Sequence, residues 1–181
     1  MTLQGVVIRA ERPQDAEAIR AVNLAAFPTA LEGDIVDALR PRVTTFLSLV
    51  AEADGEVIGH ILFTPVAVGE AAPSCRAMGL APMAVTPDRQ RRGVGSLLVT
   101  AGLDACRDLG AEMVVVLGHA DYYPRFGFRP AADFGLRCPI PGAEDFFFAL
   151  PLVPGGALPH GTVSFHPGFG ADAAPPEGNE P

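Results

Sequence analysis

The stretch Met83-Ala84-Val85-Thr86-Pro87-Asp88-Arg89-Gln90-Arg91-Arg92-Gly93-Val94-Gly95-Ser96-Leu97-Leu98 constrains this chain more than any other. It reads as an apolar strand, a turn at Pro87-Asp88, a basic loop hinged by glycines, and the start of a helix. Glycine accepts positive φ and lets a ligand come close to the backbone. The amides from Arg91 to Ser96 can then converge on one point, and the dipole of the following helix adds to their pull. An anion fits there, and a pyrophosphate fits best. Arg91 or Arg92 can reach a phosphate from outside. A Walker loop would need G-x-x-x-x-G-K-[ST], and no Lys lies here. A Rossmann site would need G-x-G-x-x-G after the first strand, which is a different pattern.

The segments around this loop predict a mixed α/β fold. Val6–Arg9 reads as a first strand, and Pro13 suits the first position of a helix. Ala16, Ile19, Val22, Ala26 and Phe27 recur at helical spacing until Pro28. Thr29-Ala30-Leu31-Glu32 has the form of a capping box for a second helix, from Ala30 to about Leu39 and stopped by Pro41. Phe46–Ala51 and Val57–Val68 are strand-like, joined by a hairpin turn at Asp54-Gly55. Pro65 suggests a bulge or an edge position, and Pro82 a local distortion in a fourth strand, Met78–Val85.

Val94, Leu97, Leu98, Ala101, Ala105 and Leu109 share one helical face, with Gly110 as the residue after the C-cap. Met113–Leu117 is a continuous apolar run, as in a central buried strand. Ala120–Phe126 reads as one short helical turn or loop, with Pro124 tolerated only within a first turn. A last β region is expected around Gly127–Pro130, Phe146–Leu152 and Val163–Phe165. The Pro- and Gly-rich stretch from Ala132 to Gly168 is otherwise unassigned. Residues 1–170 are expected to form a single domain, and 171–181 a disordered tail.

Bulk properties narrow the class. The 181 residues suffice for one domain with a substantial core, and 49% hydrophobic content is that of a globular chain. No run of eighteen apolar residues exists, so no membrane association is expected. The N-terminus lacks the regions of a signal peptide, which makes a cytoplasmic location the expectation. Cys75, Cys106 and Cys138 form no C-x-x-C pair and are read as reduced thiols. His60, His119, His160 and His166 are scattered, so no metal is expected. The net charge is −8, with Asp172, Glu177 and Glu180 in a tail that holds no Lys or Arg. An acidic chain does not suggest nucleic-acid binding and mildly favours a cationic or amine substrate.

At this point the chain resembles a known family. Val85-Thr86-Pro87 with Gln90-Arg91-Arg92-Gly93-Val94-Gly95 is similar to motif A of the GCN5-related N-acetyltransferase (GNAT) superfamily. Tyr123-Pro124-Arg125-Phe126-Gly127-Phe128 resembles that superfamily's later Y-x-x-x-G-F signature, about thirty residues downstream. Leu117-Gly118-His119-Ala120-Asp121-Tyr122-Tyr123, together with Gly79-Leu80-Ala81-Pro82, narrows the resemblance to the YhbS-like branch. It covers roughly residues 6 to 166.

The resemblance implies an acyl-CoA N-acyltransferase fold, a central, mixed, mostly antiparallel sheet flanked by helices. It implies acetyl-CoA as co-substrate, lying in a V-shaped opening between the fourth and fifth strands. Backbone groups of Met83, Ala84 and Val85 would pair with the pantetheine arm. An amide near Val85 would polarise the thioester carbonyl. The loop formed by Gln90, Arg91, Arg92, Gly93, Val94, Gly95 and Ser96 would hold the pyrophosphate. Tyr123 matches the family's usual general acid. The chemistry agrees, since a phenol with a pKa of about 10 stays protonated near neutrality while a thiolate of conjugate pKa about 8.5 accepts its proton. Tyr122 is read as packing. His119 stands where many members carry an Asn that contacts the coenzyme.

The general base is left open. Members often place a Glu on the fourth strand, but Met78–Val85 carries no carboxylate. Glu32 is the candidate, facing the acceptor from the second helix, although a capping box accounts for it without catalysis. Glu52, Asp54 and His60 lie on or near the hairpin, and alternation makes His60 a buried, satisfied side chain. A water chain or an amine arriving neutral would also serve. Cys106 has no His or Asp partner in sight, which argues against an acyl-enzyme. The expected activity is acetyl transfer to a small-molecule or peptide amine, with homodimers common in the superfamily. The alternative is a non-catalytic module that binds acyl-CoA or an acyl carrier protein.

Overall fold

The computed structural model describes residues 5–153, 155 and 158–169, without the side chains of 71–75. The expected tail at 171–181 and the thiol of Cys75 lie outside the described residues. In chain order the elements are β1 (Val7–Ala10), α1 (Ala16–Ala26), α2 (Leu31–Leu39), β2 (Leu47–Ala53), β3 (Glu56–Val68) and β4 (Ala71–Val85). They continue with α3 (Val94–Asp108), β5 (Met113–Leu117), β6 (Arg129–Pro130), β7 (Leu136–Arg137), β8 (Phe147–Pro151) and β9 (Gly161–Ser164). The strands pair in the order β1-β2-β3-β4-β5-β8-β6, with β9 against β3 and β7. The pairs β1–β2, β2–β3, β3–β9, β5–β8 and β6–β8 are antiparallel, and β4–β5 and β7–β9 are parallel. The fold is the expected mixed α/β one. Among the described residues no helix is long and apolar enough to cross a membrane.

The chain divides into two compact units. The first runs through Phe63 and resumes over Pro82–Leu103. Its β2–β3 hairpin closes at Asp54 (φ 53°) and Gly55 (φ 82°), both in the left-handed region that a two-residue turn needs. Pro13 opens a single 3₁₀ turn, Pro13–Asp15, that leads directly into α1. The buried Asp15 carboxylate accepts from the Arg12 amide at 2.7 Å and takes a bidentate pair from Arg9. That guanidinium holds its carboxyl below the usual range, against the opposing effect of burial.

Within the same unit α3 buries only part of the expected face, Val94 and Leu98, and adds Val99 and Leu103. Leu97 and Ala101 are only half-buried. A Cβ at Gly102 would fall on the ring of Phe63, so the helix approaches β3 through its glycine and turns Val99 and Leu103 inward. Burial of Phe63 decided the rotation, which hydrophobic spacing alone does not encode.

A buried polar chain sits at the heart of this unit. Asn23 of α1 donates through Nδ2 to the Ile19 carbonyl at 2.9 Å, which fixes the direction of its amide. The same nitrogen lies 3.3 Å from His60 Nδ1, so that ring atom must accept. His60 Nε2–H then donates to Ser48 Oγ at 3.0 Å, and Ser48 donates to Glu11. Arg40 Nε donates to the other Glu11 oxygen at 2.6 Å. Only the neutral imidazole satisfies this order. Full burial, reinforced by the Arg40 charge, pushes the His60 pKa down to about 3.

The second unit comprises Thr64–Ala81 and resumes at Asp104. Val66, Val68, Ala77, Met113, Val115, Phe147, Ala149 and Val163 form its core. β5 is the buried central strand that its apolar run predicts, with Met113 to Val116 fully enclosed. The end of α3 closes as expected around Gly110 (φ 76°). The Gly110 amide donates to Arg107 and that of Ala111 to Cys106, both at 2.9 Å, a Schellman closure. Leu109 is 43% exposed, against its expected place on the buried face, because this closure swings it outward.

The stretch left unassigned by sequence holds the two-residue strand β7 and several 3₁₀ turns. Phe146 ends such a turn rather than starting β8, and Phe165 follows β9, where its ring lies over Gly79. The helical turn expected at Ala120–Phe126 is a 3₁₀ helix over Tyr123–Phe126. Two prolines find tolerant places. Pro65 falls between the β2 ladder, which ends at Phe63, and the β9 ladder, which starts at Ala67. Pro82 lies past Leu80↔Val116, the last pair of the parallel ladder.

His60 makes stability depend on pH in a definite direction. Its folded pKa lies below the value of about 6.5 in the unfolded chain, so the unfolded state binds the extra proton. Stability is therefore complete above pH ~6.5 and falls as pH drops toward the folded value. Denaturant unfolding between pH 7 and pH 4 should show this loss, and His60→Gln should flatten it. An unchanged slope in the variant would show that other groups carry the acid sensitivity.

Candidate active site

The basic loop carries its geometry in the backbone. After β4 the chain makes a 3₁₀ turn, Pro87–Arg89, closed by the Arg89 and Gln90 amides on the Thr86 carbonyl at 2.8 and 3.1 Å. The Thr86 amide donates to Ile58 at 2.9 Å and so ties the strand end to β3. Gly59 of β3 leaves space for the Ala84 carbonyl, which would stand 3.3 Å from a Cβ there. The loop then takes two residues through positive φ, Arg91 at 56° and Gly93 at 89°. The Gly93 carbonyl accepts the Leu97 amide at 3.1 Å and opens α3.

Some expectations for this loop need revision. Gly95 is not at positive φ but is the buried second residue of α3, so the hinge is Arg91 with Gly93. No local signal marks a non-glycine residue for that conformation. An arginine there costs about 1 kcal/mol relative to glycine. Gln90 spends its side-chain amide on the Val85 carbonyl at 3.0 Å. That carbonyl is therefore already engaged, and Gln90 braces the strand end. Arg91 and Arg92 are exposed, Gly93 and Ser96 half-buried, and Val94 buried. Met83 is half-buried, and Ala84 and Val85 are buried.

The second signature builds a separate feature within its own unit. Tyr123 opens the 3₁₀ turn, with Pro124 in the first turn where its missing N–H is harmless. Gly127 closes it at φ 91°, its amide on the Pro124 carbonyl at 3.0 Å. The His119 carbonyl accepts the Tyr122 and Tyr123 amides at 3.0 and 3.4 Å, so His119 serves this turn through its backbone. The Tyr123 ring meets Phe128 and Tyr122 edge-on, at centroid distances of 5.6 and 5.2 Å. Burial, with a smaller contribution from Tyr122, pushes its phenol above the usual tyrosine range. Tyr122 is packed as expected, under Arg125 at 4.6 Å and against Phe126.

Glu32 does not act as the expected cap. The N-cap of α2 is Ala30 in helical conformation, with no side-chain cap bond, and Leu31 N lies 3.4 Å from Thr29 Oγ1. The Glu32 Oε2 atom is instead buried without a hydrogen-bond partner. Glu52 pairs with Arg9, and Asp54 forms the hairpin turn. His60 is sealed in the polar chain. Cys106 is buried, and burial raises its thiol to about 12, which removes it as a nucleophile. Among the described residues no cluster of His, Cys, Asp or Glu could hold a metal ion.

Gly93 is the position to probe in the loop, because a β-branched residue cannot hold φ 89°. Gly93→Val should weaken acetyl-CoA binding at least about tenfold, measured by calorimetry on a variant with native circular dichroism. Unchanged affinity in the folded variant would remove the loop from the coenzyme site.

Comparison with known proteins agrees with this architecture. Residues 16–128 match the model of the Acetyltransferase (GNAT) family. The chain is 40% identical over 152 residues to the uncharacterized N-acetyltransferase YjhQ of Escherichia coli (strain K12), covering 80% of this chain and 82% of the relative. The crystal structure of YhbS from Escherichia coli in complex with CoA superposes with a TM-score of 0.83 at 36% identity, over 93% of this chain and 94% of that one. A GNAT family acetyltransferase from Brucella melitensis, in complex with acetyl-CoA, gives 0.75 at 42% identity, over 91% and 97% of the two chains. The chain belongs to the acetyltransferase (GNAT) family, and with it to the acetyl-CoA-dependent N-acetyltransferases.

Proposed function

We propose that this enzyme transfers the acetyl group of acetyl-CoA to a primary amine by direct attack, with Tyr123 as general acid. The observation that carries the reading is the buried phenol of Tyr123, whose environment keeps it protonated well beyond neutral pH. The amine nitrogen attacks the thioester carbonyl carbon, and a backbone amide near Val85 stabilises the oxyanion. The C–S bond breaks as the intermediate collapses. Tyr123 gives its proton to the departing sulfur, producing coenzyme A. The nitrogen loses one proton to a base as the amide forms, and the base then releases it to solvent, from which the phenolate is reprotonated.

Glu32 is the group we assign to receive the amine proton. A buried carboxylate oxygen without a partner is costly unless a ligand supplies one, and an ammonium or amine N–H would do so. The loop from Gln90 to Ser96 holds the pyrophosphate in this reading, with amides and the Arg91 and Arg92 charges on the anion. The acceptor is a small-molecule or peptide amine. The net charge of −8 supports a cationic acceptor over a nucleic acid.

Calorimetric titration with acetyl-CoA, with ATP and NAD as controls, should give selective acetyl-CoA binding. Tyr123→Phe should leave that affinity intact and lower kcat about 100-fold in a CoA-release assay over a panel of primary amines. The native enzyme should show no alkaline loss from phenol ionisation up to about pH 10, because the folded pKa lies above that value. Full activity in Tyr123→Phe would reduce the residue to packing. Glu32→Gln should slow turnover by about 100-fold without changing acetyl-CoA affinity. Wild-type rates in that variant would return Glu32 to a role at the start of α2.

A further inference from the structure

Gly118 follows β5 directly, and its amide donates to the Phe146 carbonyl at 2.9 Å. It is buried, and its φ is not in the left-handed region, so no backbone requirement calls for glycine. Space does. A Cβ built on Gly118 would stand 2.8 Å from Tyr123 Cδ2 and 3.1 Å from Cζ, with Cε2 nearer still. Real side chains do not approach so closely, so a residue larger than glycine must displace the ring. The ring has little room to yield. Phe128 and Tyr122 stand edge-on to it, and its backbone is held by the His119 carbonyl and the turn closed at Gly127.

We propose that Gly118 is a positioning residue: its missing side chain is the surface that the Tyr123 ring lies on, and this sets where the hydroxyl meets the sulfur of coenzyme A. The inference rests on the reading of Tyr123 as general acid. A hydroxyl that protonates a leaving thiolate must sit within hydrogen-bond reach of it. A displacement of about 1 Å from such geometry costs about 100-fold in rate.

Bound coenzyme A supplies a readout that needs no acceptor. A phenol donating to the thiolate lowers the pH at which the bound thiol ionises, followed by the ultraviolet absorbance of the thiolate. In the native complex that midpoint should lie about one pH lower than in Tyr123→Phe. Gly118→Ala should move it up to the Tyr123→Phe value, with CoA affinity within about twofold of native, and should add nothing in the Tyr123→Phe background.

A native midpoint in Gly118→Ala, alongside a shifted one in Tyr123→Phe, overturns the positioning role and leaves the acid reading standing. Equal midpoints in native protein and Tyr123→Phe overturn the acid reading and the positioning role with it. An equal further shift in the Tyr123→Phe background would show that Gly118 acts on the site by another route and also overturns the proposal. If Gly118→Ala does not fold, Gly118→Ala/Tyr123→Leu decides the matter. Recovery of a native thermal transition supports the contact, and failure to recover overturns it.

Discussion

The first unit depends on one uncharged ring. His60 lies at zero exposure in the middle of β3, with a donor on one side of it and a hydroxyl on the other. Asn23 of α1, His60 and Ser48 of β2 donate in turn toward Glu11, which accepts from Arg40 on its other oxygen. A low-dielectric interior strengthens every bond of such a chain and penalises any that is missing. A second proton on the imidazole would place a donor against the Asn23 amide and a cation in a sealed site. Arg40 works in both directions here, neutralising Glu11 and repelling charge from the ring. The arrangement gives α1, β2 and β3 one common register, which apolar contacts alone specify less sharply.

The chemistry-bearing segments rely on backbone conformation more than on side-chain variety. The loop before α3 passes Arg91 and Gly93 through positive φ, strained only at the arginine, and leads into the start of a helix. Its base is held by the Thr86–Ile58 bond and by the Gln90 amide on Val85. Tyr123 is presented by a 3₁₀ turn whose entry proline and exit glycine are the residues such a turn tolerates best. In each unit the segment that carries the family signature follows the end of a strand, where backbone groups are not consumed by the ladder.

Much of this was legible from local pattern. Asp54-Gly55 specifies its hairpin because both positions demand positive φ, and Gly110 closes α3 for the same reason. The run from Met113 to Val116 is apolar on both faces and is buried on both faces. His60 is buried beside Ile58 and Leu62 as alternation predicts, although Gly59, Ile61 and Phe63 on the other face of β3 are buried too. Other features follow from distant contacts and leave no local trace. Leu109 belongs to the helical stripe yet is exposed, and the true face of α3 is set by Phe63 against Gly102. Glu32 stands three residues after a threonine, the spacing of a cap, but its oxygen turns to a buried site without a partner. Between Ala132 and β8 the chain holds only a two-residue strand and 3₁₀ turns, too short for any periodicity to show.

Sequence by itself determined the order of elements from β1 to β5, the two signatures and the family they belong to, because those rest on residue types at fixed local spacing. Glycine, proline and alternating apolar residues act within a few positions of themselves, and a reader of the chain has those positions in view. Tertiary structure alone decided that Arg91 shares the strain of the loop, that Gln90 braces Val85, and that Gly118 is bare so that the Tyr123 ring can lie against it. These depend on which atoms compete for one volume. That competition is settled only when the packed chain brings the ring and the glycine together.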